Sequence, residues 1–135
     1  MKKIYGIIVG IAALIFIASC EKDEGKLPNI SFKSGGTYIY KDTTLAAGSS
    51  FTIGMAASKA EDKDVLKQFT ISRSYNGASG VSVYSKSLSG SEQDYYSYDY
   101  TTNTDSVAGQ KSKYTFTVTN RDGLTNSVSV TVIAQ

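Results

Sequence analysis

The sequence predicts an all-β protein in which two antiparallel sheets pack face to face. Three observations carry this. From Leu27 onward apolar and polar residues alternate with the two-residue period of half-buried strands. Glycine- and asparagine-containing turn signals interrupt these runs about every ten residues. No stretch of that region has the 3.6-residue period of a long amphipathic helix. With 135 residues there is room for one domain of ordinary size.

The first segment in chain order stands outside that domain. Lys2 and Lys3 precede an almost unbroken apolar run from Ile4 to Ala18, the n- and h-regions of a secretory signal peptide. The run is shorter than the roughly 20 residues of a membrane-spanning helix. It also ends on a cysteine rather than on a basic stop-transfer flank. Residues 1–19 are therefore expected to be a removable signal rather than a transmembrane anchor. Ile17-Ala18-Ser19-Cys20 resembles the lipobox of bacterial lipoproteins. That resemblance implies cleavage before Cys20, a diacylglyceryl thioether on its sulfur and acylation of the new amino terminus. The membrane is then a partner, through the lipid anchor at Cys20. Each buried acyl methylene contributes about 0.8 kcal/mol, so several chains together anchor stably.

Residues 20–28 are expected to form the lipidated cysteine and an acidic tether. Glu21, Lys22, Asp23 and Glu24 resemble the export signal of Bacteroidota-type lipoproteins. The resemblance implies an outer-membrane location facing the cell exterior, with the periplasmic face as the alternative. A charged, glycine-containing stretch also reads as a solvated linker. The net charge of +2 is carried by Lys2 and Lys3, so the chain without its signal is balanced. Nucleic acid is not an expected partner of a balanced chain.

The sandwich is expected over residues 29–135, with about seven strands. Ile30 and Phe32, then Tyr38 to Tyr40, make weak runs. Stronger alternation follows at Phe51-Ile53-Met55, Phe69-Ile71 and Val81-Val83, and strongest at Tyr114-Phe116-Val118 and Val128-Val130-Val132. Asn120-Arg121-Asp122-Gly123 reads as a hairpin loop, and Asn76-Gly77 and Ser79-Gly80 are turn signals that punctuate the middle. Ser58-Lys59-Ala60-Glu61 matches a capping box, so a single helical turn is expected there.

The lipidated cysteine, the acidic tether and the hairpin Tyr114–Gly123 with Asn126–Val132 together look like small immunoglobulin-like lipoproteins of Bacteroidota. That resemblance implies an immunoglobulin-like antiparallel β-sandwich. Antibody domains carry a buried disulfide and a tryptophan between the sheets. This chain has one Cys and no Trp, so only the architecture is expected to transfer.

The candidate functional residues are few. Tyr96, Tyr98 and Tyr100 share one face of a predicted strand, with Tyr95, Ser97 and Asp99 on the other. If exposed, the trio would be a stacking platform for a sugar ring, with Asp94 or Asp99 accepting from hydroxyls. If buried, the rings would fill the core, and the modest apolar content favours this. Asp105-Ser106-Val107 and Asp42-Thr43-Thr44 resemble a Bacteroidota O-glycosylation sequon, which implies glycans on Ser106 and Thr43. Glu61, Asp62 and Asp64 lack the spacing of a calcium loop, and with interleaved lysines they read as a solvated loop.

No catalytic constellation stands out. The chain has no His, the one Ser-x-x-Lys (Ser19 to Lys22) is split by the expected cleavage, and no Gly-x-Ser-x-Gly elbow or phosphate loop occurs. No cofactor or metal is expected. The expectation is a non-catalytic binding or adhesion module for a glycan or protein ligand at the cell surface. The alternative is an accessory subunit of a larger outer-membrane complex.

Overall fold

Eight strands run through two sheets in the computed structural model, which describes residues 25–135. The signal segment, Cys20 and Glu21 to Glu24 lie outside the described residues, and with them the lipidation and export expectations. The strands are β1 (Asn29–Phe32), β2 (Thr43–Leu45), β3 (Ser50–Ser58), β4 (Leu66–Tyr75), β5 (Val81–Ser87), β6 (Tyr95–Asn103), β7 (Lys111–Asn120) and β8 (Thr125–Ala134).

One sheet has the order β1-β3-β6 and the other β2-β8-β7-β4-β5. This is the immunoglobulin-like division of strands, A-B-E against G-F-C. The chain enters on the small sheet as β1 and crosses to the large one as β2. That crossing makes β2 run parallel to β8, with Thr43 opposite Val132. Among the described strands it is the one parallel pair, a departure from the expected all-antiparallel pairing. β2 was not legible as a strand, and the Tyr38–Tyr40 run forms only an isolated bridge to Thr52. Tyr38 lies over the outside of the small sheet instead, and Ile39 packs on the core.

Alternation sets the core. β3 turns Phe51, Ile53, Met55 and Ala57 inward, and β7 turns Tyr114, Phe116 and Val118 inward. Phe69 of β4 is fully buried at the centre, with the rings of Tyr84, Tyr96, Tyr98 and Phe116 all 5.4–6.0 Å away. This aromatic cluster bridges the sheets in a chain that lacks the tryptophan and disulfide of antibody domains. Phe32–Phe116 and Phe51–Tyr114 add two more edge-on contacts between sheets.

The expected turns form. Asn76 and Gly77 both have positive φ (49° and 80°), and Ala78 N–H donates to the Tyr75 carbonyl. That is the type I′ geometry an Asn-Gly pair favours between strands. The expected helical turn at Ser58–Glu61 does not form: β3 continues through Ser58, and a later turn is closed by the Asp64 N–H donating to the Glu61 carbonyl at 3.0 Å. A 3-10 turn forms at Gly90–Gln93, where Glu92 stands three residues after Ser89 and accepts its N–H.

Gly25–Pro28 is fastened to the domain as a strap. Asp64 accepts the Lys26 N–H, Asn120 donates to the Lys26 carbonyl and Asn126 donates to the Pro28 carbonyl.

Candidate binding face

Strand β6 pairs with β3 throughout, with Ala57 opposite Tyr96, Met55 opposite Tyr98 and Ile53 opposite Tyr100. Because the β3 partners face the core, so do Tyr96, Tyr98 and Tyr100. Tyr96 is 7% exposed, and the other two are half-buried against the core. Tyr98 stacks on Tyr84 of β5 at 4.5 Å, closing the gap between the edge strands of the two sheets. Burial, and then the neighbouring Tyr84, pushes the Tyr96 and Tyr98 hydroxyl pKa values up. The trio is thus core, the orientation that the modest apolar content favours, and offers no open platform. Asp94 is not beside it: it precedes β6 and pairs with Lys59 at 2.8 Å. Lys59 also reaches Asp62 at 3.3 Å, and the Asp94 hydrogen bond holds its pKa up.

What solvent meets on this strand is the opposite row, Tyr95, Ser97 and Asp99. In cross-strand register, Tyr95 lies beside Ser58 and Asn29, Ser97 beside Ala56 and Ser31, and Asp99 beside Gly54. Small side chains therefore floor the face of the small sheet. Tyr95 stands on it 57% exposed. A shallow groove of about 300 Å³ runs beside that ring, lined by Asn29, Ser31, Ala56, Ser58 and Asn126 among others.

A polar cluster closes the other end. Asp99 accepts from Lys33 Nζ at 2.7 Å and from the Tyr38 hydroxyl at 2.9 Å. Lys33 Nζ also lies 5.7 Å from the centre of the Tyr38 ring. Gly54 makes this possible. A Cβ there would sit 2.6 Å from Tyr38 Cε1, 2.8 Å from Lys33 Cδ and 2.9 Å from Asp99 Oδ1. The Lys33 hydrogen bond, with that of Tyr38, holds the Asp99 carboxyl below the usual range. The same bonds from the other side raise the Lys33 and Tyr38 pKa values. Tyr95 and Asp99 were visible in the sequence as the strand's second face. Lys33 and Tyr38 were not, because their placement depends on a glycine of another strand.

The remaining candidates have local roles. Asp42 accepts the Thr131 N–H at 2.8 Å, which docks Thr43 at the start of β2, half-buried. Asp105 accepts the Val107 N–H and the Gln110 side chain, shaping the loop that leaves Ser106 exposed. Of the acidic loop, Asp62 is solvated, but Asp64 is 1% exposed, contrary to the solvated-loop expectation. Its carboxylate is drawn in by the Lys26 N–H. Among the described residues no three His, Cys, Asp or Glu side chains converge on a metal position. None of the described helices is long and apolar enough to cross a membrane.

No family model matches the sequence, and no curated protein matches it. Among solved structures the fold is similar to that of Spo0M, the sporulation control protein of Bacillus subtilis. The TM-score is 0.52 at 6% identity, covering 82% of this chain and 50% of that one. This chain therefore spans half the length of that protein. A chain of the human seminal-plasma complex of zinc 2-glycoprotein and prolactin-inducible protein aligns with TM-score 0.47 at 8% identity, over 85% of this chain and 99% of that one. At such identities the first likeness speaks for the fold alone.

Proposed function

We propose that the chain is a lipid-anchored envelope lipoprotein of the Bacteroidota type whose immunoglobulin-like domain is a non-catalytic glycan-binding module. The anchor is Cys20, and Glu21 to Glu24 direct it to the outer face of the outer membrane. The ligand lies on the outside of the small sheet. One observation supports this most: an exposed Tyr95 ring on a floor of serine and alanine, beside a groove, with a charged cluster at its far end. Small side chains let a flat ring approach the sheet, the tyrosine offers an apolar face for stacking, and Asp99 with Lys33 offers acceptors and donors to hydroxyls.

Glycan-array binding of the purified chain, followed by titration calorimetry of any hit, tests the reading. The expected result is binding that weakens about tenfold in Tyr95→Ala, the loss of one stacking contact of roughly 1.4 kcal/mol. Absence of binding to every glycan at millimolar concentration contradicts it. The accessory-subunit reading has its own support in β6, which is the outermost strand of its sheet and leaves one edge of backbone groups open to a partner strand. Crosslinking in intact cells separates the two: recovery of a defined partner through β6 favours the subunit.

A further inference from the structure

Two carboxylates converge where the N-terminal strap meets the β7–β8 hairpin. Asp64 Oδ2 accepts the Lys26 N–H at 2.9 Å. Asp64 Oδ1 is buried and has no hydrogen-bond partner. A buried carboxylate oxygen in that condition is costly. The Lys26 N–H holds its pKa low against the cost of burial, the neighbouring Asp122 carboxyl lowers it further, and Lys63 and Arg121 contribute by charge.

Asp122, in the hairpin turn, faces it. A Cβ on Gly25 would lie 2.8 Å from Asp122 Oδ2 and 3.1 Å from Asp64 Oδ1. Both oxygens therefore border one small volume next to Gly25, whose φ of +67° favours glycine and whose missing side chain leaves the volume open. The nearby cations are committed elsewhere in part. Lys26 and Lys63 reach Glu61 at 3.0 and 3.6 Å, and Arg121 Nε is 4.0 Å from the other Asp122 oxygen. Asn120, fully buried, holds the two walls in place. Its Oδ1 accepts the N–H groups of Asp122 and Leu124, and its Nδ2 donates to the Lys26 carbonyl.

We propose that Asp64 and Asp122 bind a divalent cation beside Gly25, calcium by the chemistry of the donors. Calcium accepts six to eight oxygens in flexible geometry and takes backbone carbonyls and water alongside carboxylates, whereas magnesium sheds its water reluctantly. Two carboxylates place the site in the weak class of extracellular modules, with Kd about 0.1–1 mM. The ion would relieve the orphaned Asp64 oxygen and the repulsion between the two acids. It would also tie the strap, and so the tether, to the hairpin.

Calorimetric titration of the metal-free full chain with CaCl2, with melting curves in EDTA and in about 10 mM CaCl2, tests the site. The expected result is saturable one-site binding and a Tm about 5 °C higher with calcium. Asp122→Asn should lose both responses, yet melt in EDTA no lower than the unmodified chain, because it removes a like charge from beside Asp64. No heat and no Tm change on adding calcium to the unmodified chain overturns the proposal. So does a calcium response kept by Asp122→Asn, or a melting point for that variant several degrees lower in EDTA, which would make Asp122 a structural group.

Discussion

Asn120 shows how one residue can hold a whole end of this domain. It closes β7, points inward with the core row of that strand, and is fully buried. A buried amide is tolerable only if its donors and acceptors are matched. Here Asn120 takes two N–H groups of its own hairpin turn and gives one to the strap, 94 residues away in sequence. Replacing it with alanine strands three backbone groups. Asn120→Ala is expected to cost about 3 kcal/mol, read as a lower urea midpoint at unchanged m-value. A loss within 0.5 kcal/mol, roughly that of a surface substitution, would show that water replaces the side chain there. The sequence marks Asn120 as the opening of a hairpin loop, but its reach to Lys26 is a tertiary fact that no local pattern encodes.

At the scale of elements, the small sheet is the informative one. Its inner face follows directly from alternation: Phe51, Ile53 and Met55 are apolar at every second position, and all three are buried. Its outer face is harder to read, because a half-buried polar row looks like any solvated row. The Lys33–Asp99–Tyr38 cluster assembles from three segments and stands on Gly54, whose role is purely steric. The cluster carries a pH dependence of definite sign. A folded-state carboxyl pKa held low contributes stability above the ordinary aspartate value and loses it as pH falls through the lowered one. The cluster is therefore expected to be intact at neutral pH and to come apart only below about pH 3.9. An NMR titration of the Asp99 carboxyl checks this, with a midpoint below that value expected. Lys33→Met should move the midpoint up. A midpoint at or above the ordinary value in the unmodified chain would mean the cluster does not persist in solution.

Other elements mark where sequence patterns lose force. β2 has only three residues, Thr43–Leu45, too few for a period to register. Its parallel pairing to β8 is set by the crossing from one sheet to the other, helped by Asp42 on the Thr131 N–H. The capping-box spacing at Ser58 is overruled because β3 continues along β1 and β6, ending with Ser58 paired to both Asn29 and Tyr95. The same spacing at Ser89–Glu92 does yield a turn, fastened by an ion pair from Glu92 to Lys86 that holds the Glu92 carboxyl low.

For the molecule as a whole, fold and function stand on different footings. The sandwich follows from alternation and turn chemistry spread over some hundred residues, so a few misread segments leave the architecture intact. Its core is held without a disulfide or tryptophan by an aromatic cluster centred on Phe69, to which Tyr96 and Tyr98 contribute from the opposite sheet. Those rings therefore serve cohesion, and under the proposed function recognition falls to the other row of the same strand. Which row faces out is a single-residue choice of register, since a one-residue slip of β6 would exchange the two sets.

Tyrosine nitration of the folded chain, mapped by mass spectrometry over time, tests that choice most directly. The account predicts rapid modification of Tyr95, with Tyr96 and Tyr114 protected until denaturant is added and Tyr98 and Tyr100 slower than Tyr95. Modification of Tyr96, Tyr98 and Tyr100 at the rate of Tyr95 or faster would contradict it, and would put the binding face on the other side of the strand.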